Sequence, residues 1–472
     1  MPEAPDAENS ATAATDPENL HEALAYYDSW LAFNQRYQRI PGVQAAVFAG
    51  DAIAYSAAYG LADVEQGTAL TEQHLFRIAS HSKTFTATAV LQLVEQGMVR
   101  LDDKAGTHVT EIVGTPLGEL TLRDLLSHAG GVTRDSLEAD FWQLATAFPD
   151  RGQLLEVLTK PTSSVIPEND RFKYSNIGYG LLGLVIEAAT GTSYNEHVRT
   201  AIVGKLGLSG LGPEFEPERS SEYAAGYSAL SYADERVPID HVDTRALAAA
   251  TGFYGNARDL VSFFSAHLPG DDRLLTDASK RLMQHPLWKT GEDEALRYGL
   301  GLQISKIGKR DVFGHGGGYP GHITRSLVDG GRRLVVSVLT NAIDGGAAPL
   351  AEVALKLIDL AGSKVRGDGG ELARFTGRYA NLWGVYDIVL LGGRLYSMDP
   401  TAPDPTAEPQ ALELDGDTSL RVTTGSGYGA YGESLRFTFT ADGKVESLRG
   451  PGGLLAWPLD TFTLPPRVKT SA

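Results

Sequence analysis

A serine followed three residues later by a lysine gives this sequence a candidate nucleophile and a candidate base, at a spacing that allows the two side chains to meet. Ser80 and Lys83 follow a short apolar run and open a stretch with helical character. Residues three apart share a helix face, so the Lys83 amine can lie beside the Ser80 hydroxyl, which needs a base to attack at neutral pH. The unpaired N–H groups of a helix start favour an oxyanion and a neutral lysine. We predict that Ser80 is a nucleophile; the alternative is that it only caps the helix.

Two later strings give this pair a context. Tyr174-Ser175-Asn176 precedes an apolar stretch with helical character, and His315-Gly316-Gly317-Gly318 stands among strand-like runs. With Ser80-His81-Ser82-Lys83 they resemble the three motifs of the serine β-lactamase and penicillin-recognising superfamily, namely Ser-x-x-Lys, Tyr-x-Asn and a Lys- or His-x-Gly strand. Strings at 125–131 and 252–260 look like the class C branch, so the resemblance covers about Val43 to Leu360.

The resemblance implies a role for each motif residue. Ser80 would form an acyl-enzyme, with Lys83 and Tyr174 sharing the base role and Tyr174 passing the proton to the leaving group. Which of the two is the formal base stays open. Asn176 would hold the substrate amide or the Lys83 amine. The N–H groups of Ser80 and Gly318 would form the oxyanion hole, and the three successive glycines 316–318 allow close backbone approach. His315 and Gly317 would belong to the same substrate- and oxyanion-binding set.

Other strings spell the same motifs. Tyr254-Gly255-Asn256 and Tyr379-Ala380-Asn381 also read Tyr-x-Asn, and His128-Ala129-Gly130 reads His-x-Gly. Tyr174 is favoured because it lies between the serine helix and the later strands and directly precedes a helix. His128 is expected at a helix C-terminus, where the helix dipole tolerates a histidine.

The third motif departs from that of typical β-lactamases. His315 replaces a lysine, and Gly316 replaces the hydroxyl residue that helps many members to bind a substrate carboxylate. Since a carboxylate is held by a cation or a hydroxyl donor, these two residues predict weak carboxylate binding. The pattern is similar to D-aminopeptidases and to some β-lactamase-like esterases.

The elements around the motifs predict an α/β (α+β) domain in which an antiparallel sheet is flanked by helices. A hairpin is expected over 43–59 and a strand meander over 298–340, with the helical segments between them and a last helix at 349–360. The N- and C-terminal parts can then share one sheet. The resemblance implies that this domain has the β-lactamase/transpeptidase-like fold.

The end of the chain has a different character. A Gly-rich stretch at 365–370 is the clearest linker, and the short strand-like runs from Gly377 to Gly450 predict a small all-β barrel or sandwich. This region resembles the lipocalin-like domain attached to some of these peptidases. The predicted organisation is a disordered acidic tail at 1–19, a hydrolase domain at 20–364 and a β-barrel domain at 371–472.

Composition excludes several classes of function. The net charge of −18 argues against nucleic acid or an anionic membrane as a partner. The chain has no cysteine, and its 11 histidines form no metal-binding pair, so we expect neither a metal nor a cofactor. No apolar run of 18 residues and no secretory signal is found, which favours a cytoplasmic location. A homo-oligomer is possible.

These observations predict a serine hydrolase that cleaves an amide or ester bond in a small molecule or short peptide through an acyl-enzyme on Ser80. A D-amino-acid-selective peptidase or amidase is the leading hypothesis, and a carboxylesterase is the second. The third is a catalytically inactive binding protein that keeps the fold. It is disfavoured because Ser80, Lys83 and Tyr174 are all present.

Overall fold

The computed structural model describes residues 16–362 and 369–464, and their contacts divide them into two compact units. The first unit is Ile40–Ala351; the second holds the described residues up to Arg39 and from Glu352 onward. The strands of the first unit are β1 Gly42–Ala49, β2 Ala52–Asp63, β3 Thr68–Ala69, β4 Phe76–Arg77, β5 Leu211–Gly212, β6 Gly226–Tyr227, β7 Pro238–Ile239, β8 Tyr254–Gly255, β9 Trp288–Lys289, β10 Arg297–Tyr298, β11 Gln303–Ile307, β12 Arg310–Tyr319, β13 His322–Asp329 and β14 Leu334–Thr340.

The main sheet of this unit joins the two ends of the domain. Its nine strands are antiparallel in the order β3-β2-β1-β14-β13-β12-β11-β10-β9. The central pairing of β1 with β14 runs from Val43 opposite Thr340 to Ala49 opposite Leu334. Apolar residues fill both strands, as expected where both faces of a sheet are covered. The predicted α/β domain with a shared antiparallel sheet is thereby confirmed.

Helices supply the rest of the domain core. Helix α2 is buried from Ser82 to Leu93, so it is enclosed on all sides rather than along one stripe. The helices of the chain are α1 Pro17–Tyr37, α2 Ser82–Glu95, α3 Ala105–His108, α4 Pro116–Glu119, α5 Leu122–Leu126, α6 Arg151–Thr159, α7 Asn176–Thr190, α8 Tyr194–Val198, α9 Ala248–Thr251, α10 Ala257–Ser265, α11 Asp277–Met283, α12 Ala347–Ala361 and α13 Gly369–Leu372. None of these helices is both long and apolar enough to cross a membrane.

The second unit contains a closed antiparallel barrel of eight strands, which confirms the small all-β barrel. Its strands are β15 Gly377–Asn381, β16 Gly384–Leu391, β17 Arg394–Met398, β18 Gln410–Leu414, β19 Ser419–Val422, β20 Ser434–Phe439, β21 Val445–Arg449 and β22 Leu455–Pro458. The sequence patterns missed β22, which pairs with both β21 and β15 and so closes the barrel. Closure leaves no unpaired sheet edge.

Helix α1 belongs to the same unit as the barrel. The Tyr26 hydroxyl donates to Asp387 (2.9 Å), and Arg378 donates to both oxygens of that carboxylate at 2.8 Å. Glu22 accepts from the Gly392 N–H (2.7 Å). Helix α1 begins at Pro17, within the predicted 1–19 tail, whose residues 1–15 lie outside the described residues, as do 365–368 of the predicted linker. The domain boundaries 20–364 and 371–472 stay a prediction.

A buried ion pair fixes the strand that leads to Ser80. The guanidinium of Arg77 donates to Glu214 (2.8 Å) and to the carbonyls of Val242 (2.8 Å) and Gly252 (3.2 Å). Neither charged side chain is more than 9% exposed, and Glu214 also accepts from the Thr244 N–H at 3.0 Å. Both charges are therefore compensated inside the protein, which is the condition for burying them.

We predict that Glu214→Ala lowers the free energy of unfolding by about 3–5 kcal/mol, because it leaves the Arg77 guanidinium buried without a counter-charge. The measurement is urea unfolding of the variant and the parent protein. The matched control is the double variant Arg77→Met with Glu214→Leu, which removes both charges and is expected to cost much less. Equal losses for the single and double variants would contradict a role for charge pairing.

Candidate active site

Three of the predicted site residues meet at one point in the first unit. The Tyr174 hydroxyl donates to the Ser80 Oγ at 2.8 Å, and the Lys83 Nζ lies 3.3 Å from the same oxygen. Ser80 lies in a single 3₁₀ turn, Ala79–His81, and α2 begins two residues after it, at Ser82. The hydroxyl of Ser80 is therefore within hydrogen-bonding distance of both groups that could move its proton.

The amine of Lys83 is fully buried and has two oxygen acceptors. Its Nζ donates to the Asn176 Oδ1 at 2.7 Å and to the Ala250 carbonyl at 2.8 Å. Burial holds the pKa of Lys83 well below its usual value, and the nearby Arg134 guanidinium lowers that pKa further. A neutral amine has two N–H groups and one lone pair. With both N–H groups on these oxygens, the lone pair is left for the Ser80 hydroxyl.

The phenol of Tyr174 is held in its protonated form. Burial raises the pKa of Tyr174 well above its usual value, although the hydrogen bond to Ser80 opposes the shift. The Lys83 amine lies 4.7 Å from the centre of the Tyr174 ring, and the Arg134 guanidinium lies 5.0 Å from it. Tyr174 is therefore equipped to give a proton, and Lys83 to accept one.

The loop after α5 contributes residues that the sequence analysis missed. Asp135 is buried and its Oδ1 accepts from the Asn176 Nδ2 (2.7 Å) and from the Trp142 indole N–H (2.8 Å). The Asn176 amide is thereby oriented with its oxygen toward Lys83. The backbone N–H of Asn176 donates to the Arg134 carbonyl at 2.7 Å. The family-like string at 125–131 pointed to this loop, but no motif singled out the two residues 134 and 135.

The backbone before Ser80 has an unusual conformation. Ala79 has a φ of +45°, which costs a residue with a side chain some strain. The Ser82 hydroxyl donates to the Ala79 carbonyl at 2.6 Å and accepts from the Phe253 N–H at 3.0 Å. The His81 ring is buried between the Ile78 carbonyl (3.0 Å) and the Ser326 Oγ (2.9 Å). Residues 81 and 82 of the first motif therefore fix the turn that presents Ser80.

The glycines of the third motif lie in strand β12, which spans Arg310–Tyr319 within the meander predicted over 298–340. The partner β11 pairs with β12 only as far as Gly314, and β12 packs against the 3₁₀ turn that carries Ser80. A Cβ on Gly317 would lie 2.1 Å from the Ile78 carbonyl oxygen, so only glycine allows this approach. Gly318 is exposed and lines the same cavity as Ser80.

His315 is brought near the other motifs, yet it does not line the cavity. Its ring is fully buried, with Nε2 3.1 Å from the Tyr298 hydroxyl and Nδ1 2.7 Å from the Gly316 carbonyl. Burial holds the pKa of His315 well below its usual value, and the nearby Lys83 lowers it further. Both ring nitrogens have partners within the protein. His315 does not line the cavity, so the structure does not place its side chain where it was predicted to contact a substrate.

The competing motif strings lie elsewhere. The Tyr254 hydroxyl accepts from Arg219 (2.8 Å) within the small sheet of β4, β8 and β5, and Tyr379 donates to the Phe375 carbonyl in the barrel unit. His128 follows α5 with a φ of +62°, and its Nδ1 accepts from the Ser175 N–H at 3.1 Å. Its ring packs 4.4 Å from the Tyr174 ring. His128 thus supports the second motif from behind.

The site opens into a cavity of about 760 Å³ within the first unit. Ser80, Asn176 and Gly318 lie on its wall, next to apolar side chains that include Trp142, Ile239 and Ile343. Its charged lining residues are Arg134, Asp135 and Asp240. Within residues 16–362 and 369–464, no cluster of three or more His, Asp or Glu side chains has the geometry to hold a metal ion.

Comparison with known proteins gives a family match that includes all of the first unit, Ile40–Ala351. The family model described as Beta-lactamase matches residues 29–359. Penicillin-binding protein 4* of Bacillus subtilis (strain 168) is 28% identical over 299 residues, which are 61% of this chain and 64% of that protein. This chain therefore spans just under two thirds of the length of that relative.

Two solved structures extend the likeness. The structure described as SurE with D-Leu is 26% identical, has a TM-score of 0.59, and covers 94% of this chain and 100% of that one. A D-stereospecific amidohydrolase from Streptomyces sp. is 25% identical, has a TM-score of 0.57, and covers 69% of this chain and 94% of that one. The first likeness takes in nearly the whole chain.

We predict that Gly317→Ala lowers kcat/KM by about 100-fold or more while the protein stays folded, because the new methyl group displaces the Ile78 carbonyl and with it the turn that presents Ser80. The matched control is Gly316→Ala, whose Cβ would come no closer than 3.4 Å to any neighbour outside residues 315–317. Initial rates and circular dichroism are the measurements. Equal activity of the two variants would show that the close approach at Gly317 is unimportant.

Proposed function

The chain belongs to the beta-lactamase family of serine hydrolases, and from that premise we propose that it is a D-amino-acid-selective peptidase or amidase acting through an acyl-enzyme on Ser80. The observation that carries this proposal is that the Ser80 hydroxyl lies within hydrogen-bonding distance of both a phenol and an amine. Ser80 Oγ lies 2.8 Å from the Tyr174 hydroxyl and 3.3 Å from the Lys83 amine.

In the proposed mechanism, Lys83 is the base and Tyr174 is the acid. The Ser80 Oγ attacks the substrate carbonyl carbon while its proton passes to the Lys83 lone pair. The N–H groups of Ser80 and Gly318 stabilise the oxyanion that forms. The bond to the leaving nitrogen then breaks as Tyr174 protonates that nitrogen, and the proton that Lys83 took from Ser80 restores the Tyr174 hydroxyl. Water, deprotonated by the same base, hydrolyses the ester on Ser80.

The depressed pKa of Lys83 and the raised pKa of Tyr174 support this division of roles. A phenol that stays protonated at neutral pH is a poor base, whereas a buried neutral amine is a competent one. The Asn176 side chain, anchored by Asp135, would hold the Lys83 amine in place. His315 would act through Tyr298 rather than on the substrate.

The preference for aminoacyl substrates is supported by the charges of the cavity. Asp240 is exposed, lines the cavity, and forms no hydrogen bond or ion pair with the described residues of this chain, so it could bind the α-ammonium group of a substrate. The preference for D-configuration is supported by the names of two similar structures, SurE with D-Leu and the D-stereospecific amidohydrolase. A small molecule or short peptide as substrate, a homo-oligomer and a cytoplasmic location stay predictions.

The test is hydrolysis of the D and L forms of leucinamide, leucyl p-nitroanilide and leucine p-nitrophenyl ester by the full chain. We expect the D-amide and D-anilide to be cleaved faster than their L forms, with an acyl adduct visible by intact-mass spectrometry. Cleavage of the esters alone would contradict the proposal and favour the second hypothesis, a carboxylesterase. Failure of every substrate to react, together with no fluorophosphonate adduct, would favour the inactive binding protein.

Two variants give this test its controls. Ser80→Ala is expected to abolish the adduct, since it removes the nucleophile. Tyr174→Phe is expected to lower the rate on the D-anilide by about 100-fold or more, because the leaving nitrogen loses its proton donor. The matched control is Tyr254→Phe, which removes another buried tyrosine hydroxyl in a Tyr-x-Asn string and is expected to keep the activity.

We predict that kcat/KM for D-leucinamide rises with pH through the pKa of Lys83, because only the neutral amine accepts the Ser80 proton. Arg134→Gln removes a cation that lowers this pKa, so the acid limb should move to higher pH. Asp135→Asn removes an anion that raises it, so the limb should move to lower pH. Full pH profiles of the three proteins measure the shifts. Shifts of the same sign in both variants would rule out Lys83 as the titrating base.

A further inference from the structure

The third motif of this chain offers no side chain to a substrate carboxylate. His315 is buried with both ring nitrogens engaged, and Gly316 has no side chain. Arg325, which pairs with Gly316 across the strands, donates to Gln303 and does not line the cavity. A carboxylate near the scissile bond therefore finds no partner from this strand.

A cation reaches the cavity from a different element. Arg134 is the one Lys or Arg among the described residues that line the cavity, and its side chain is 62% exposed. Its Nε lies 3.4 Å from the Asp135 carboxylate. The two terminal nitrogens of Arg134 donate to no other group in the described ranges 16–362 and 369–464. They are therefore available to a ligand in the cavity.

Arg134 lies close to Tyr174, the residue that would protonate the leaving group. Its guanidinium lies 5.0 Å from the centre of the Tyr174 ring, and the hydroxyl of that ring is 2.8 Å from the Ser80 Oγ. A leaving nitrogen that takes its proton from Tyr174 must come within hydrogen-bonding distance of this hydroxyl. Because Ser80 and Arg134 line the same cavity, a group attached to that nitrogen would lie in the cavity that Arg134 borders.

We propose that Arg134 forms a leaving-group subsite that binds a carboxylate on the departing amine, so that peptides ending one residue after the scissile bond are preferred over the corresponding amides. The planar guanidinium matches a carboxylate in shape and can bind it with two parallel hydrogen bonds. This inference rests on the proposed function. It also changes the expectation of weak carboxylate binding, which considered only the residues of the third motif.

Binding of an α-carboxylate suits the chemistry of an amino acid leaving group. The adjacent Asp135 is engaged by Asn176 and Trp142, so it keeps its place while Arg134 turns its free nitrogens to the ligand. Stacking on Tyr174 limits the conformations of the guanidinium and lowers the entropy lost on binding. Asp240, at the same cavity, would repel a second carboxylate and so disfavours substrates that carry one on the acyl side.

The test compares D-leucyl-glycine with D-leucyl-glycinamide, which differ only in the carboxylate of the leaving group. We expect the parent protein to cleave the free acid with a kcat/KM about ten-fold or more above that of the amide, as for one charge-assisted pair. Arg134→Gln should remove most of this preference, and Arg134→Lys should keep part of it. The ratio of the two substrates cancels the part of any effect on Lys83 or Tyr174 that both reactions share.

The matched control is Arg123→Gln, which removes a partly exposed arginine that does not line the cavity. The Nε of Arg123 also lies 3.4 Å from a carboxylate, that of Asp102. It should leave the ratio unchanged. A ratio near one in the parent protein, or an unchanged ratio in Arg134→Gln while D-leucyl-glycinamide is still cleaved, overturns the subsite alone. If the parent protein cleaves none of the D-leucyl compounds, both the proposed function and the subsite are overturned.

Discussion

The burial of the Lys83 amine is the constraint on which the rest of the site depends. An ammonium group without water around it is costly, so the buried amine is driven toward its neutral form. Its hydrogen bonds to the Asn176 side chain and to the Ala250 carbonyl use the two N–H groups of that form. The lone pair that remains is the group that can take a proton from Ser80. Desolvation and two hydrogen-bond acceptors thus make Lys83, a residue type usually charged and exposed, able to act as a base.

Burying the Lys83 amine between these acceptors requires several elements to pack closely around it. Lys83 comes from the buried part of helix α2, Asn176 begins α7 and Ala250 lies in α9. Strand β12 packs against the turn that carries Ser80, where Gly317 allows the backbone to approach the carbonyl of Ile78. An interior of such close packing transmits small displacements, so the position of Ser80 depends on contacts that never touch a substrate.

In the proposed mechanism, the charges at the cavity would link substrate recognition to proton transfer. Arg134 lowers the pKa of Lys83 and Asp135 raises it, although the two side chains are neighbours in sequence and in contact with each other. A substrate carboxylate bound by Arg134 would offset part of the positive charge that the amine experiences. In this arrangement the identity of the leaving group would affect the strength of the base as well as binding. That coupling would follow from the position of the cation beside the Tyr174 ring.

The sequence determined what rests on local spacing. Ser-x-x-Lys, Tyr-x-Asn and the glycine run identified the pieces of the site, and periodicity together with turn residues identified the hairpin, the meander and most of the barrel strands. Which side chains face the cavity depends on the tertiary structure: it buries His315, brings in Arg134 and Asp135, which no motif singled out, and supplies the carbonyl of Ala250. It also added β22 and grouped α1 with the barrel. Burial, backbone acceptors and barrel closure depend on residues distant in the chain, and local patterns carry no record of them.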